Sequence, residues 1–179
     1  MPHRLMRLVL ALAALCCLAL PSIAGAATSN AKQTIVDKSK FKANRYVQDG
    51  NRFQQDRVSV KSGGKLTVTD KSKIEHTVSL VKKSDLPRSF AGLDACFSPD
   101  GACAAISLSH GVDPNGPPPE GPPPITLVNV GAAGFDQPGD SQFIAPKAKV
   151  SLTISAAKGS RLYALCGIHP WMQFQIRVG

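Results

Sequence analysis

The residues best equipped for chemistry lie near the end of the chain, in Leu165-Cys166-Gly167-Ile168-His169-Pro170-Trp171-Met172. Cys166, His169 and Met172 follow one another at intervals of three, so a single tight turn offers a thiolate, an imidazole and a thioether. A second imidazole from a distant strand would complete a set of two nitrogens, one thiolate and a weak axial thioether, which suits copper in both oxidation states. His76, in Ile74-Glu75-His76-Thr77-Val78, is the available one. Each residue alone has an ordinary reading: a core cysteine, a core methionine, a surface histidine and a buried histidine satisfied by hydrogen bonds. Their joint spacing points instead to one site for copper, Cu(I)/Cu(II). Zinc shares the His and Cys ligands, but structural zinc sites rarely use methionine.

Such a site needs strands to hold it. His76, Val78 and Leu80 alternate with Thr77, Ser79 and Val81, which puts His76 on the apolar face of a strand. Val150, Leu152 and Ile154 alternate with polar neighbours, and Leu162 to Leu165 runs directly into Cys166. Phe174, Ile176 and Val178 alternate to the end, so the ligand turn is predicted to be closed by a strand on each side. Val58 and Val60 precede Ser62-Gly63-Gly64, read as a turn, and Leu66 and Val68 resume the pattern. Ile125 to Val130 is a further strand, and residues 27 to about 45 read as a basic arm or a loosely attached first strand. No helical period of three to four turns is visible. The expected fold class is all-β, a β-sandwich of short strands separated by Gly and Pro turns.

Between about 84 and 124 regular structure is expected to be sparse, with Ile106 to Leu108 as a short strand. The run Pro114-Asn115-Gly116-Pro117-Pro118-Pro119-Glu120-Gly121-Pro122-Pro123-Pro124 favours a stiff extended connection. A loop of this length inside one domain often binds a partner or covers a site. His110 lies within it, either as a fifth ligand or proton-linked neighbour of the metal site or as an ordinary loop histidine.

The chain begins like an exported protein. Arg4 and Arg7 precede an apolar run from Leu8 to Leu20, and Ala24-Gly25-Ala26 offers the small residues of a cleavage site. A signal peptide over 1–26 is expected, with cleavage after Ala26. The apolar run is short for a transmembrane anchor, which takes about 20 residues. A lipid-modified cysteine is disfavoured by Leu15 or Cys16 standing where a small residue is usual. Export leaves Cys96, Cys103 and Cys166. An oxidising compartment favours pairing two of them, and Cys96 and Cys103 flank a Pro-Asp-Gly turn that can join them. Free thiols or pairing between chains are the alternatives. Cys166 is then left as a thiol for separate chemistry.

Charge and motifs exclude several functions. The chain carries 21 Lys and Arg against 12 Asp and Glu, a formal +9. No zinc-finger spacing, phosphate-binding glycine loop or interleaved basic and aromatic pattern accompanies this charge, so no nucleic acid partner is expected. An acidic protein partner or an anionic surface fits it at least as well. No serine or carboxylate constellation supports hydrolysis. No His-x-His pair is present to build the trinuclear centre of a multicopper oxidase, so no enzyme is expected.

With these residues in view, the chain resembles the cupredoxins of the plastocyanin and azurin superfamily. Its ligand turn, Cys166-Gly167-Ile168-His169-Pro170-Trp171-Met172, is most similar to the amicyanin type. Gly63-Gly64-Lys65-Leu66-Thr67-Val68-Thr69 and Glu75-His76-Thr77-Val78 are similar to the strands leading to that family's first histidine ligand. The resemblance covers about residues 53–81 and 136–179, and it implies a cupredoxin-like Greek-key β-sandwich over 53–179, interrupted by a disulfide-containing insertion at about 84–135. It implies that His76, Cys166 and His169 form a trigonal ligand set with Met172 as the weak axial ligand. His169, ringed by Pro170 and Trp171, would be the electron exit and docking patch. The implied role is that of an exported type 1 (blue) copper protein, periplasmic, envelope-associated or secreted, moving single electrons between a redox protein donor and acceptor. The alternatives are a copper delivery or sequestration protein using the same ligands, and a structural domain whose copper site has decayed. The chain departs from the family pattern at Asp70 and Lys71, where an aromatic residue is common, at Thr77, where asparagine is usual, and at Gln173-Phe174, where a glycine is usual.

Overall fold

The computed structural model describes residues 27–117 and 119–179. The expected signal peptide, 1–26, lies outside them. Among the described residues no helix is long and apolar enough to cross a membrane.

Among the described residues eleven strands follow in order: β1 (Thr28–Val36), β2 (Lys40–Lys42), β3 (Tyr46–Gln48), β4 (Arg52–Phe53), β5 (Arg57–Asp70), β6 (His76–Val81), β7 (Leu127–Val128), β8 (Ser141–Ile144), β9 (Lys149–Thr153), β10 (Arg161–Leu165) and β11 (Gln173–Val178). Two short helices, α1 (Phe90–Cys96) and α2 (Ala102–Ser109), lie between β6 and β7. One hydrogen-bonded path runs β4-β1-β5-β11-β10-β6-β8-β7, with β9 also on β5, while β2 and β3 form a separate hairpin. Pairing is mixed: β1 and β11 run parallel to β5, and the β10–β11, β10–β6, β6–β8 and β5–β9 pairs are antiparallel.

β5 links β1 and β9 to β11. Its first part, Arg57 to Val60, pairs with β11, and its second part, Lys65 to Thr69, lies between β1 and β9. The expected turn at 62–64 is instead a bend within this continuous strand. Gly63 adopts φ +74°, open to glycine without steric cost, and the β1 partner slips register between Thr28 and Asn30. A Cβ on Gly64 would stand 2.6 Å from the Ser29 carbonyl oxygen, so the neighbouring backbone passes too close for any side chain.

Period-two alternation fills a single main core. Ile35 from β1, Val60, Leu66 and Val68 from β5, Val78 and Leu80 from β6, Ile144 from β8, and Phe174 and Ile176 from β11 are all buried in it. The segment from 84 to 124 is more regular than expected. Ile106 to Leu108 belongs to α2, not to a strand, and the strand expected over Ile125 to Val130 is confined to β7. Ser89 caps α1 by accepting the Gly92 amide, and alanine-rich Ala102-Cys103-Ala104-Ala105 suits the first turn of α2. The Cys96–Cys103 disulfide staples the two helices, with Cα atoms 5.0 Å apart. Cys96, Cys103 and Ile106 then pack with Val81 and Leu165 in a second buried cluster. This insertion covers the outer face of β6, so all six of its residues are buried.

Candidate metal centre

Sheet register brings the distant donors together. Leu165 at the end of β10 pairs with Ser79 of β6, so Cys166 emerges beside the start of β6, where His76 stands. The turn that follows is closed by its own backbone: the Cys166 amide donates to the Met172 carbonyl at 3.0 Å, and the Met172 amide to the His169 carbonyl at 2.8 Å. Pro170 and Met172 are buried beneath it. Strands on both sides and these backbone bonds thus hold the turn closed.

His76 Nδ1, Cys166 Sγ and His169 Nδ1 converge. The sulfur lies 3.7 Å from each of the two nitrogens, and the potential donor atoms all fall within 4.8 Å of one another. Nitrogen and thiolate ligands sit about 2.0 and 2.3 Å from a first-row ion of this kind, so an ion held between them at tetrahedral or trigonal angles separates them by about 3.5–3.7 Å. The observed spacing fits. His76 and Cys166 are wholly buried, His169 is 9 % exposed, and their imidazoles lie 4.9 Å apart.

Hydrogen bonding fixes the tautomer of His76. The Ser72 hydroxyl donates to the Ile74 carbonyl at 3.0 Å, which leaves its oxygen as an acceptor toward His76 Nε2 at 2.9 Å. The ring proton thus resides on Nε2, and the Nδ1 lone pair faces the site. Ser72 is itself held by its amide donating to Asp70 Oδ1 at 2.6 Å. Burial, reinforced by the neighbouring His169, pushes the His76 pKa down to about 4. His169 is lowered too, by burial, against the pull of Asp49, Glu75 and Asp37. Both rings are therefore neutral electron-pair donors at pH 7. Burial raises the Cys166 thiol, opposed by the Thr77 amide, which donates to the sulfur at 3.3 Å. A cation among these donors would favour the thiolate instead.

Three of the four expected ligands are thus gathered by side-chain donor atoms. Met172 is buried in the main core alongside Cys166 and is bound to the same turn through its backbone. Trp171 stands edge-on to His169 with ring centroids 5.3 Å apart and donates its indole N–H to the Asn51 carbonyl. The exposed apolar groups at this edge are Ile168 and Trp171, while Pro170 is buried. His110 is not among the clustered donors, because its two ring nitrogens bond the Ile125 carbonyl and the Ser141 hydroxyl. Ser72 and Thr77 were missed as site residues. Thr77 sits next to His76, but its hydroxyl reads in sequence as an outward-facing strand residue, whereas it accepts the Gly167 amide at 2.8 Å.

No protein-family profile matches the chain, and no curated protein does. Solved structures do. Auracyanin A, a blue copper protein of the green thermophilic photosynthetic bacterium Chloroflexus aurantiacus, is 16 % identical over 84 % of this chain and 99 % of its own, at TM-score 0.40. A purple cupredoxin from Nitrosopumilus maritimus is 10 % identical over 83 % and 99 %, at TM-score 0.43. An amicyanin variant with Cu(I) is 13 % identical over 82 % and 98 %, at TM-score 0.39.

Proposed function

We propose that this chain is a type 1 (blue) copper protein that carries single electrons between redox partners. One observation bears the proposal: the donor atoms of His76, Cys166 and His169 converge within 4.8 Å of one another at a buried point. His76, Cys166 and His169 would hold the ion, with Met172 as the weak axial ligand. The ion supplies a one-electron couple, and two nitrogens, a thiolate and a thioether accommodate both of its oxidation states.

The chain's own residues account for the rest. The backbone bonds across 166–172 keep the donors in place, which limits rearrangement during electron exchange. Burial of Cys166 and His76 excludes water from the thiolate. His169, the ligand nearest solvent, provides the exit, with Ile168 and Trp171 as its apolar surround. His110 has both nitrogens engaged, so among the described residues no histidine remains for a second metal centre of the kind an oxidase needs. An exported location, periplasmic, envelope-associated or secreted, fits both the disulfide and the leader-like start.

The test is the visible absorption and paramagnetic resonance of the mature chain with one equivalent of Cu(II). An intense thiolate-to-copper band with narrow hyperfine splitting is expected, and Cys166→Ser should abolish it. A pale, widely split spectrum from folded wild-type protein would remove Cys166 from the ligand set and put copper delivery ahead of electron transfer.

A further inference from the structure

An open groove of about 500 Å³ runs between the ligand turn and the start of the insertion. Pro87, Arg88, Phe90 and Leu93 wall it on one side, Trp171 and Gln173 on the other. Phe90 is 87 % exposed and Trp171 43 %, so two large aromatic rings face water along it.

Both walls are held in place by the fold. Gln173 stands where a glycine is usual in cupredoxins, and its side-chain Nε2 donates to the Pro87 and Pro170 carbonyls, each at 2.9 Å. Both partners can only accept, which fixes the orientation of the amide. Glycine could not make this tie. Gln173 also begins β11 and pairs with Leu165, so the insertion is fastened to the strand pair that closes the ligand turn. The Trp171 indole N–H is bound to the Asn51 carbonyl at 3.2 Å. Behind the first wall, the disulfide joins α1 to α2, and Cys96 is buried in one cluster with Leu165. Surfaces set in advance spare a ligand the cost of ordering them.

The lining has the make-up of an interface core. Phe, Trp and Arg are enriched in such cores, while Lys, Glu and Asp are depleted. Arg88 is the only charged residue among those that line the groove, and Asp37, Asp49, Glu75, Asp85 and Asp94 are not among them. Small-molecule pockets enclose about 70–90 % of their ligand, which a groove this open cannot do. A second copy docked by a two-fold axis would bring the same patch, with its Arg88, to both sides of the contact between chains of formal charge +9.

We propose that this groove docks the electron partner: an apolar side chain of an acidic redox protein enters between Phe90 and Trp171, and a carboxylate beside it pairs with Arg88. The insertion thereby supplies one wall of the contact surface, and Trp171, edge-on to His169 at 5.3 Å, the other. That the occupant is a redox protein rests on the copper reading; that it is acidic and apolar does not.

Metal-free protein tests the second part alone, by titration with the peptide acetyl-Asp-Phe-Asp-amide under NMR observation. Saturable shifts are expected at Phe90, the Trp171 indole and the Gln173 side-chain amide, with acetyl-Lys-Phe-Lys-amide binding several-fold more weakly. Phe90→Ser should weaken the acidic peptide about tenfold, and Arg88→Glu should reverse the charge preference. Both side chains are exposed, so both variants should fold. Absent shifts in the groove, shifts confined to residues 38–48, or equal affinity in Phe90→Ser would each overturn the proposal. In the reduced copper protein, bound acidic peptide should slow oxidation by hexacyanoferrate(III), and Phe90→Ser should blunt that effect. A blue protein whose oxidation the bound peptide leaves unchanged would detach the groove from the electron exit. A protein that is not blue would instead sink the copper reading, with the peptide titration still deciding the groove.

Discussion

A serine aims the proposed ligand nitrogen of His76. Its ring could in principle carry its proton on either nitrogen, and only the bond from Nε2–H to Ser72 Oγ leaves Nδ1 free toward Cys166. Ser72 can serve because its own proton is committed to the Ile74 carbonyl and its amide to Asp70. Outer-shell bonds of this type are worth about 10–100-fold in metal affinity. Ser72→Ala is therefore expected to weaken copper binding by about that factor while leaving the Cys166-based colour in place, since no ligand is lost. Competition with a chelator of known affinity measures the first effect and absorption the second. Equal affinity in variant and wild type would show that the tautomer is set elsewhere.

At the scale of elements, β6 has two working faces. Val78 and Leu80 enter the main core, while Thr77 and Ser79 enter the layer beneath the insertion and Val81 joins the second cluster. That layer depends on α1 and α2, which are too short to be stable alone. Their disulfide closes a loop of sequence separation 7, worth about 2–3 kcal/mol by chain entropy. Replacing Cys96 and Cys103 together by Ser should lower the unfolding free energy by about that amount in urea titrations. It should also speed hydrogen exchange at Thr77 and Ser79 more than at Val60 in the main core. Equal exchange at all three amides would mean that the helices do not protect this face.

The same face marks where sequence reading stopped. Strands such as β9 and β11 were legible because one side is apolar and the other polar. The donors were legible because Cys, His and Met are rare types at meaningful spacing. Residues 62–64 misled because Ser-Gly-Gly serves a turn and a strand bend equally. Helices of seven and eight residues, rich in alanine, are too short to display a helical period. Hydroxyls of Ser72, Thr77, Ser79 and Ser141 carry no positional signal at all, since only the fold reveals that they are buried and aligned.

Over the whole molecule, charge is unevenly placed around the proposed exit. The β2–β3 hairpin stands apart from the main sheet, and Lys38, Lys40, Lys42 and Arg45 are exposed on it with no acid between residues 38 and 48. Phe41 and Val47, paired across the hairpin, are also exposed. Its root lies beside the metal-site edge: the Lys38 amide donates to the Gly50 carbonyl, and the Trp171 indole to that of Asn51. The carboxylates acting on His169 are those of Asp49, Glu75 and Asp37, but the cationic hairpin rooted near Trp171 suits a partner with an acidic docking surface, as the overall charge of +9 already suggested. Such steering acts on encounter rate and is screened over about 10 Å at 0.1 M salt. An anionic oxidant such as hexacyanoferrate(III) can stand in for the partner in stopped-flow measurements on the reduced copper protein. Wild-type oxidation should slow as salt rises. The triple variant Lys40→Glu, Lys42→Glu, Arg45→Glu should react about tenfold more slowly at low ionic strength, with the salt dependence reversed. Its potential and colour should stay as in the wild type, because the hairpin touches none of the donors. A variant that keeps the wild-type rate and salt slope would mean that reagents reach the copper from another side, and the hairpin would lose its place in docking.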